Sequence, residues 1–242
     1  MWDRSILKSN AKVALRGRYW TAFLVTLLFA VLAEWLNWAD SGFRRLFESQ
    51  AWHGGARHLF RWSPLEGLGG WLCIFYVIFI VHPLLIGAAR YFVRNHFEPA
   101  RTETLFSGFQ WNYGNGVGVL FITRLFIILW TFLFIIPGIV KLVQYSMVPF
   151  LLSDNPSLPG ERAREISRRM TDGQKGAIFV FWLSFLGWFL LGALCFGVGI
   201  LFILPYFSAS QSELYLLLRG RALGLGFVRP EELCLAQPAS RP

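Results

Sequence analysis

The stretch from 177 to 218 constrains this chain more than any other feature, because it carries one charged side chain, Glu213, in 42 residues. A helix crosses the hydrocarbon core of a bilayer in about 20 residues, so the stretch is long enough to cross twice. Gly192, Gly197 and Gly199 stand near its middle and offer a turn, which divides it into helices over 177–195 and 200–218. Further apolar runs cover 20–38, 71–89, 117–136 and 139–152, the last two separated by Pro137-Gly138. The expectation is an all-α polytopic membrane bundle of about six transmembrane helices, forming a single integral membrane domain over 1–242. Composition agrees, since 55% of residues are hydrophobic and 15% charged. A soluble domain carries about 25% charged residues. Disorder is excluded by the aromatic content, a disulfide framework by the presence of three cysteines, and an ordinary water-soluble enzyme is disfavoured.

Charge placement tests the span count. Under six spans, 17 of the 23 lysines and arginines fall on one side. They lie in the N-terminal segment 1–19, in the loop after the second span, in the loop 153–176 and in the tail 219–242. The other side holds Arg44, Arg45, Arg57 and Arg61, all in a long loop over 39–70. Basic loops face the cytoplasm, so both termini are placed there. Without the fourth span, the arginines of 162–169 would move to the opposite side. The net charge of +9 therefore reads as contact with anionic lipid heads. No stretch has the basic and aromatic layout of a nucleic-acid module, and nucleic acid is not expected as a partner. The apolar run Ala22 to Ala33 follows a basic segment but offers no convincing cleavage site, and it reads as a retained first span.

Two segments beside the spans are amphipathic. Leu7, Ala11, Ala14 and Leu15 form an apolar stripe against Arg4, Lys8, Lys12 and Arg16; Ala163, Ile166 and Met170 form another among charged residues after Pro159. Such helices either lie in the membrane interface or cover the ends of the bundle. Trp20, Trp35, Trp38, Trp71 and Tyr91 are expected at the interface, and Trp130, Trp182 and Trp188 in packing. The helix pairs also resemble one another. Gly138-Ile139 and Gly199-Ile200 are each followed at one spacing by a tyrosine, Tyr145 and Tyr206, which raises three repeated helix-pair units as a reading the likeness leaves open.

No motif for hydrolysis, phosphate binding or zinc is present. His53, His58, His82 and His96 are scattered, Cys73 and Cys195 sit in spans, and Cys234 lies in the tail. No metal, cofactor or catalytic residue is expected. Charge within the spans is the best clue to a site, because it is costly in hydrocarbon. Arg124 stands eight residues into the third span, about 12 Å deep. Glu213 matches it in depth, Glu34 lies toward the far end of the first span, and Lys141 completes the candidates for a polar path. The competing reading is a structural ion pair or an arginine reaching for the headgroups. Pro137, Gly138 and Pro205 are candidate helix breaks, and Asp154-Asn155-Pro156 suits a turn after the fourth span.

The run Ile135-Ile136-Pro137-Gly138-Ile139-Val140-Lys141 resembles the signature of a bacterial membrane family, the domain of unknown function numbered nine-seventy-five. So do Tyr145-Ser146-Met147-Val148-Pro149, Asp154-Asn155-Pro156, Ser184-Phe185-Leu186-Gly187-Trp188, Pro205-Tyr206 and the opening Leu7-Lys8, Ala11-Lys12 and Tyr19-Trp20. The resemblance implies a multi-pass protein of the bacterial inner membrane and brings no established activity. The family is distantly similar to membrane domains attached to glycerophosphodiester phosphodiesterases, whose catalytic domain this chain lacks. The expected function is a non-enzymatic scaffold, or an accessory or regulatory factor of the cell envelope, with membrane lipids and other membrane proteins as partners. The alternative is a transporter or channel for a small or lipid-like solute.

Overall fold

The structure, a computed structural model, describes residues 2–48, 71–72, 74–110, 112–194 and 197–235, with backbone alone over 34–48. It is all-helical, with no strand among the described residues. The helices are α1 (Arg4–Leu15), α2 (Tyr19–Glu48), α3 (His82–Phe97), α4 (Tyr113–Leu133), α5 (Ile135–Gln144), α6 (Val148–Asp154), α7 (Gly160–Thr171), α8 (Lys175–Leu194) and α9 (Val198–Gly224). A π-helical turn, Val77–Val81, leads into α3.

Among the described residues, five segments are long and apolar enough to cross a membrane: Ile74–Phe97, Tyr113–Leu133, Ile135–Asp154, Lys175–Leu194 and Val198–Gly224. A sixth is counted if α1 and the first part of α2, which meet at 100°, make one broken span. Their outward faces carry bare apolar side chains, among them Phe132, Ile136, Leu190 and Leu194, as a lipid-facing surface requires.

Several boundaries differ from expectation. The loop predicted over 39–70 is helical as far as Glu48, because nothing in 39–48 breaks a helix that has left the apolar run; residues 49–70, with His53 and His58, lie outside the described residues. The second span extends to Phe97, and Arg90, placed by its charge in a loop, is buried inside it and donates from Nε to Ser153 O at 2.8 Å. The tail predicted from 219 begins as helix, since α9 runs on to Gly224, and a 3-10 turn at Pro230–Leu233 folds back. Tyr91 is fully buried rather than interfacial, with its hydroxyl on Thr21 Oγ1, and Trp188 is exposed rather than packed. Trp35 and Trp38 lie where only backbone is described, and Cys73 and Cys195 lie outside the described residues.

The proline positions have a common logic. A proline ring clashes with the carbonyl four residues back and leaves it without a donor. Before Pro137 that carbonyl belongs to Leu133, the last residue of α4, and the chain turns at extended Phe134. The break is thus at Phe134, while Pro137 and Gly138 lie inside the first turn of α5. Pro205 is not a break, as α9 continues through it. The carbonyl it leaves without a donor is that of Leu201; one residue further on, Tyr19 donates its hydroxyl to Phe202 O at 2.8 Å.

Both amphipathic segments are helices, α1 and α7, and the apolar stripe of each is buried against the bundle. Each is joined to the following span by the same turn: Gly17 at φ 77° leads into α2 and Gly173 at φ 69° into α8. Asn112 takes the corresponding place before α4, at φ 46°, a left-handed backbone that asparagine tolerates better than most residues. Each lead-in segment packs on the pair before it. The segment 102–110 lies on α3 so closely that a methyl built on Gly87 would stand 1.7 Å from Leu105 O. From α7, Ser167 donates to Gln144 O at 2.6 Å and Arg164 lies 5.7 Å over the Phe126 ring. The first segment closes the circle onto the last pair, with Lys8 Nζ 4.5 Å over Phe185 and Lys12 Nζ 5.9 Å over Tyr206.

Candidate functional site

The circular packing leaves a cavity of about 370 Å³ at its centre. Its wall takes Thr26 and Phe29 from α2, Ala88 and Phe92 from α3, Thr123 and Arg124 from α4, Trp182 from α8, and Ser208 and Gln211 from α9. The remaining side is the interruption between α5 and α6, where Tyr145, Ser146 and Pro149 line the space. Pro149 cannot continue the ladder of α5, and the chain loosens over Tyr145–Met147 before helix resumes at Val148. The wall is predominantly apolar, with a few polar groups set into it.

Those polar groups fall into two sets. The hydroxyls of Thr26, Thr123 and Ser146 donate to carbonyls of their own segments, Thr123 to Val119 O at 2.6 Å and Ser146 to Val143 O at 2.8 Å. The second set retains donors. Trp182 Nε1 is buried with no hydrogen-bond partner among the described residues. Arg124 is exposed and lines the cavity without a hydrogen bond or ion pair to any described residue. It stands 11 residues from the start of α4, about 16 Å along the helix, deeper than a span starting at 117 implied.

The remaining candidates are dispersed. Glu213 does not pair with Arg124: it is 4% exposed and meets His96 Nδ1 at 2.5 Å, because α9 crosses α3 at the end of the latter helix. Lys141 lies beside the α4–α5 turn, 5.3 Å over the Trp130 ring and 5.7 Å over Tyr145. Glu34 is on α2, but its side chain lies outside the described residues. Pro137, Gly138 and Pro205 do not line the cavity. Among the described residues, no group of three or more histidine, cysteine, aspartate or glutamate side chains is placed to share a metal ion.

A second polar constellation holds the ends of the segments together. Asp154 Oδ2 accepts from Tyr215 Oη at 2.5 Å and from Arg219 at 2.8 Å. Asn155 donates to Glu232 O at 2.8 Å, and Asn115 donates to Pro156 O and Leu158 O. The Asp-Asn-Pro turn expected after the fourth span is therefore a latch joining α4, α6, α9 and the C-terminal turn. At the same end, Arg18 donates to Asn95 O at 3.1 Å and Trp2 Nε1 to Gln174 Oε1 at 2.5 Å. The segments expected to share one side of the membrane do meet.

The sequence assigned Trp182 to packing and did not single out Gln211, Ser146 or Thr123 as site residues. The available signal was polar atoms recurring within apolar runs, which charge counting passes over. Residues 136–222 match the family described as "Protein of unknown function (DUF975)". That stretch begins in α5 and ends in α9, so it includes the Asp154 latch and leaves α1 to α4 outside. The chain is similar to that family there, in agreement with the motifs from Ile136 to Tyr206. No curated protein and no solved structure matches the chain.

Proposed function

We propose that this chain is a multi-pass, non-enzymatic protein of the bacterial inner membrane, a member of the family its second half matches, with both termini cytoplasmic. In this reading it binds and moves a lipid-like acidic solute through the central cavity. Arg124 carries the reading: a guanidinium deep in a span, beside apolar space, with its donors uncommitted among the described residues. An arginine at such depth is costly unless something pairs with it, and guanidinium matches carboxylate and phosphate geometry. The apolar wall suits an acyl chain, and the Trp182 N–H offers a further donor. The solute is thus an amphiphile with an acidic head.

The scaffold reading stands second, because the stripes of α1 and α7, which would have been its docking faces, are buried against the bundle. Membrane lipids remain the proposed partners, with no nucleic acid.

The test uses the purified chain in proteoliposomes with a spin-labelled fatty acid as probe. Saturable binding and transfer are expected in the parent, with a loss of about ten-fold or more in Arg124→Leu and partial retention in Arg124→Lys. Equal behaviour of parent and Arg124→Leu, with both correctly folded, would overturn the proposal.

A further inference from the structure

The amphipathic helix α7 leads into α8 through the turn at Asp172-Gly173-Gln174. Beside this turn lies an open recess of about 320 Å³, which shares no lining residue with the central cavity. Its wall is Gln144, Arg168, Arg169, Asp172 and Lys175. Three cations face one carboxylate of the wall, and with Glu165 beside Arg169 the formal surplus is one positive charge. Two of the cations are already engaged: Arg169 reaches Glu165 Oε1 at 2.7 Å, and Lys175 reaches Asp172 Oδ1 at 2.8 Å. The Arg168 side chain is exposed and makes no direct hydrogen bond or ion pair to a described residue, although its charge acts on Asp172 and Glu165 from a distance.

The floor is less ordinary than the rim. Gln144 is 8% exposed, and its Oε1 has no hydrogen-bond partner among the described residues. A buried amide left unpaired is costly. The Gln144 Nε2 is not among the buried unpartnered atoms, so the NH2 is the end open to an acceptor in the recess. The position in the fold supplies the second argument. Lys175 is the first residue of α8, immediately before the apolar run, which sets the recess at the level of lipid headgroups.

We propose that this recess binds a phosphate group, with Arg168 as the principal cation and the Gln144 amide beneath it. A diester phosphate of an anionic lipid and a free phosphate ion share this chemistry. The site is independent of the solute cavity, and its failure would leave the Arg124 proposal untouched.

Purified protein is analysed by native mass spectrometry after exchange into micelles doped with phosphatidylglycerol or with phosphatidylcholine. A parallel calorimetric titration uses inorganic phosphate. Retention of phosphatidylglycerol over phosphatidylcholine assigns the lipid source, and saturable phosphate binding without lipid preference assigns the soluble one; either supports the site. Arg168→Gln should lower the retained species about five-fold, the scale of one cation at a membrane surface. Arg221→Gln, a charge-matched change at an exposed residue outside the recess, should not. Gln144→Leu should weaken the same ligand without altering charge, which separates the recess from diffuse surface attraction. Absence of both lipid preference and phosphate binding would overturn the proposal, and so would an equal loss in Arg168→Gln and Arg221→Gln.

Discussion

Asp154 is the residue on which most elements depend. Its carboxylate takes both the Tyr215 hydroxyl and the Arg219 guanidinium, and it is 9% exposed against 12% for Arg219. Removing one partner of a buried pair leaves the other charge without compensation, a cost of about 3–5 kcal/mol. Asp154→Ala is therefore expected to lower the thermal midpoint in detergent sharply. Tyr215→Phe, which removes one hydrogen bond and keeps the pair, should cost about 1 kcal/mol. Circular-dichroism melts of the two variants would check the order, and a smaller loss in Asp154→Ala would contradict the latch. The sequence placed Asp154 in a turn beyond the fourth span; Asp154 is instead the last residue of α6, and the turn follows it. What it could not supply was the partner, because Tyr215 and Arg219 lie 61 and 65 positions away.

At the scale of elements, close backbone approach governs how segments seat on spans. A methyl on Gly87 would collide with the backbone of Leu105, and one on Gly108 would stand 2.0 Å from Pro83 O. Backbone cannot move aside as a flexible side chain can. Gly87→Ala should therefore separate segment 102–110 from α3 and destabilise by about 1–3 kcal/mol or more. Gly118 is the contrast: it lies within α4 with nothing in reach of an added methyl. Gly118→Ala should be neutral or stabilising by up to about 1 kcal/mol. Thermal melts of the two variants make the comparison.

The C-terminal turn is held differently, by Arg162 bonding both oxygens of Glu232 at 3.0 and 3.1 Å. These hydrogen bonds from Arg162 keep the Glu232 carboxyl below its ordinary value. A lowered carboxyl value means the contribution is fully present above the ordinary glutamate range and is lost as pH falls through the lowered value. Hydrogen-exchange protection over 227–235, taken relative to the intrinsic exchange rate at each pH, should be high at neutral pH and fall as pH drops through the lowered carboxyl value. Arg162→Gln should give the low protection already at neutral pH.

For the whole molecule, closure of the circle is the property to test. The first lead-in helix packs on the last helix pair, with Trp2 Nε1 on Gln174 Oε1 and Trp2 stacked edge-on to Phe181 at 6.1 Å. A Trp2→Cys, Gln174→Cys double variant, with the three native cysteines replaced by serine, should be bridged within one chain by a short bis-maleimide reagent, seen as faster migration of the monomer on a denaturing gel. Crosslinking only between chains would refute the closed arrangement. The same closure leaves the central cavity, since the helical segments that meet there, with Ser, Thr and Ala among their facing residues, do not fill the space between them.

The sequence by itself determined the membrane class, the approximate placement of the apolar spans and the grouping of most basic residues near their ends, because hydropathy and charge act locally and are summed along the chain. It also marked Arg124 as exceptional. Tertiary structure decided the rest: that Glu213 meets His96 and not Arg124, that α3 carries Arg90 inside it, that Pro205 lies within a continuous helix, and that the amphipathic stripes are spent on the bundle itself. The physical reason is that pairing depends on crossing angles and helix rotation, which are set by side chains distant in sequence. Apolar runs record how deep a residue lies and leave unrecorded which neighbour it faces.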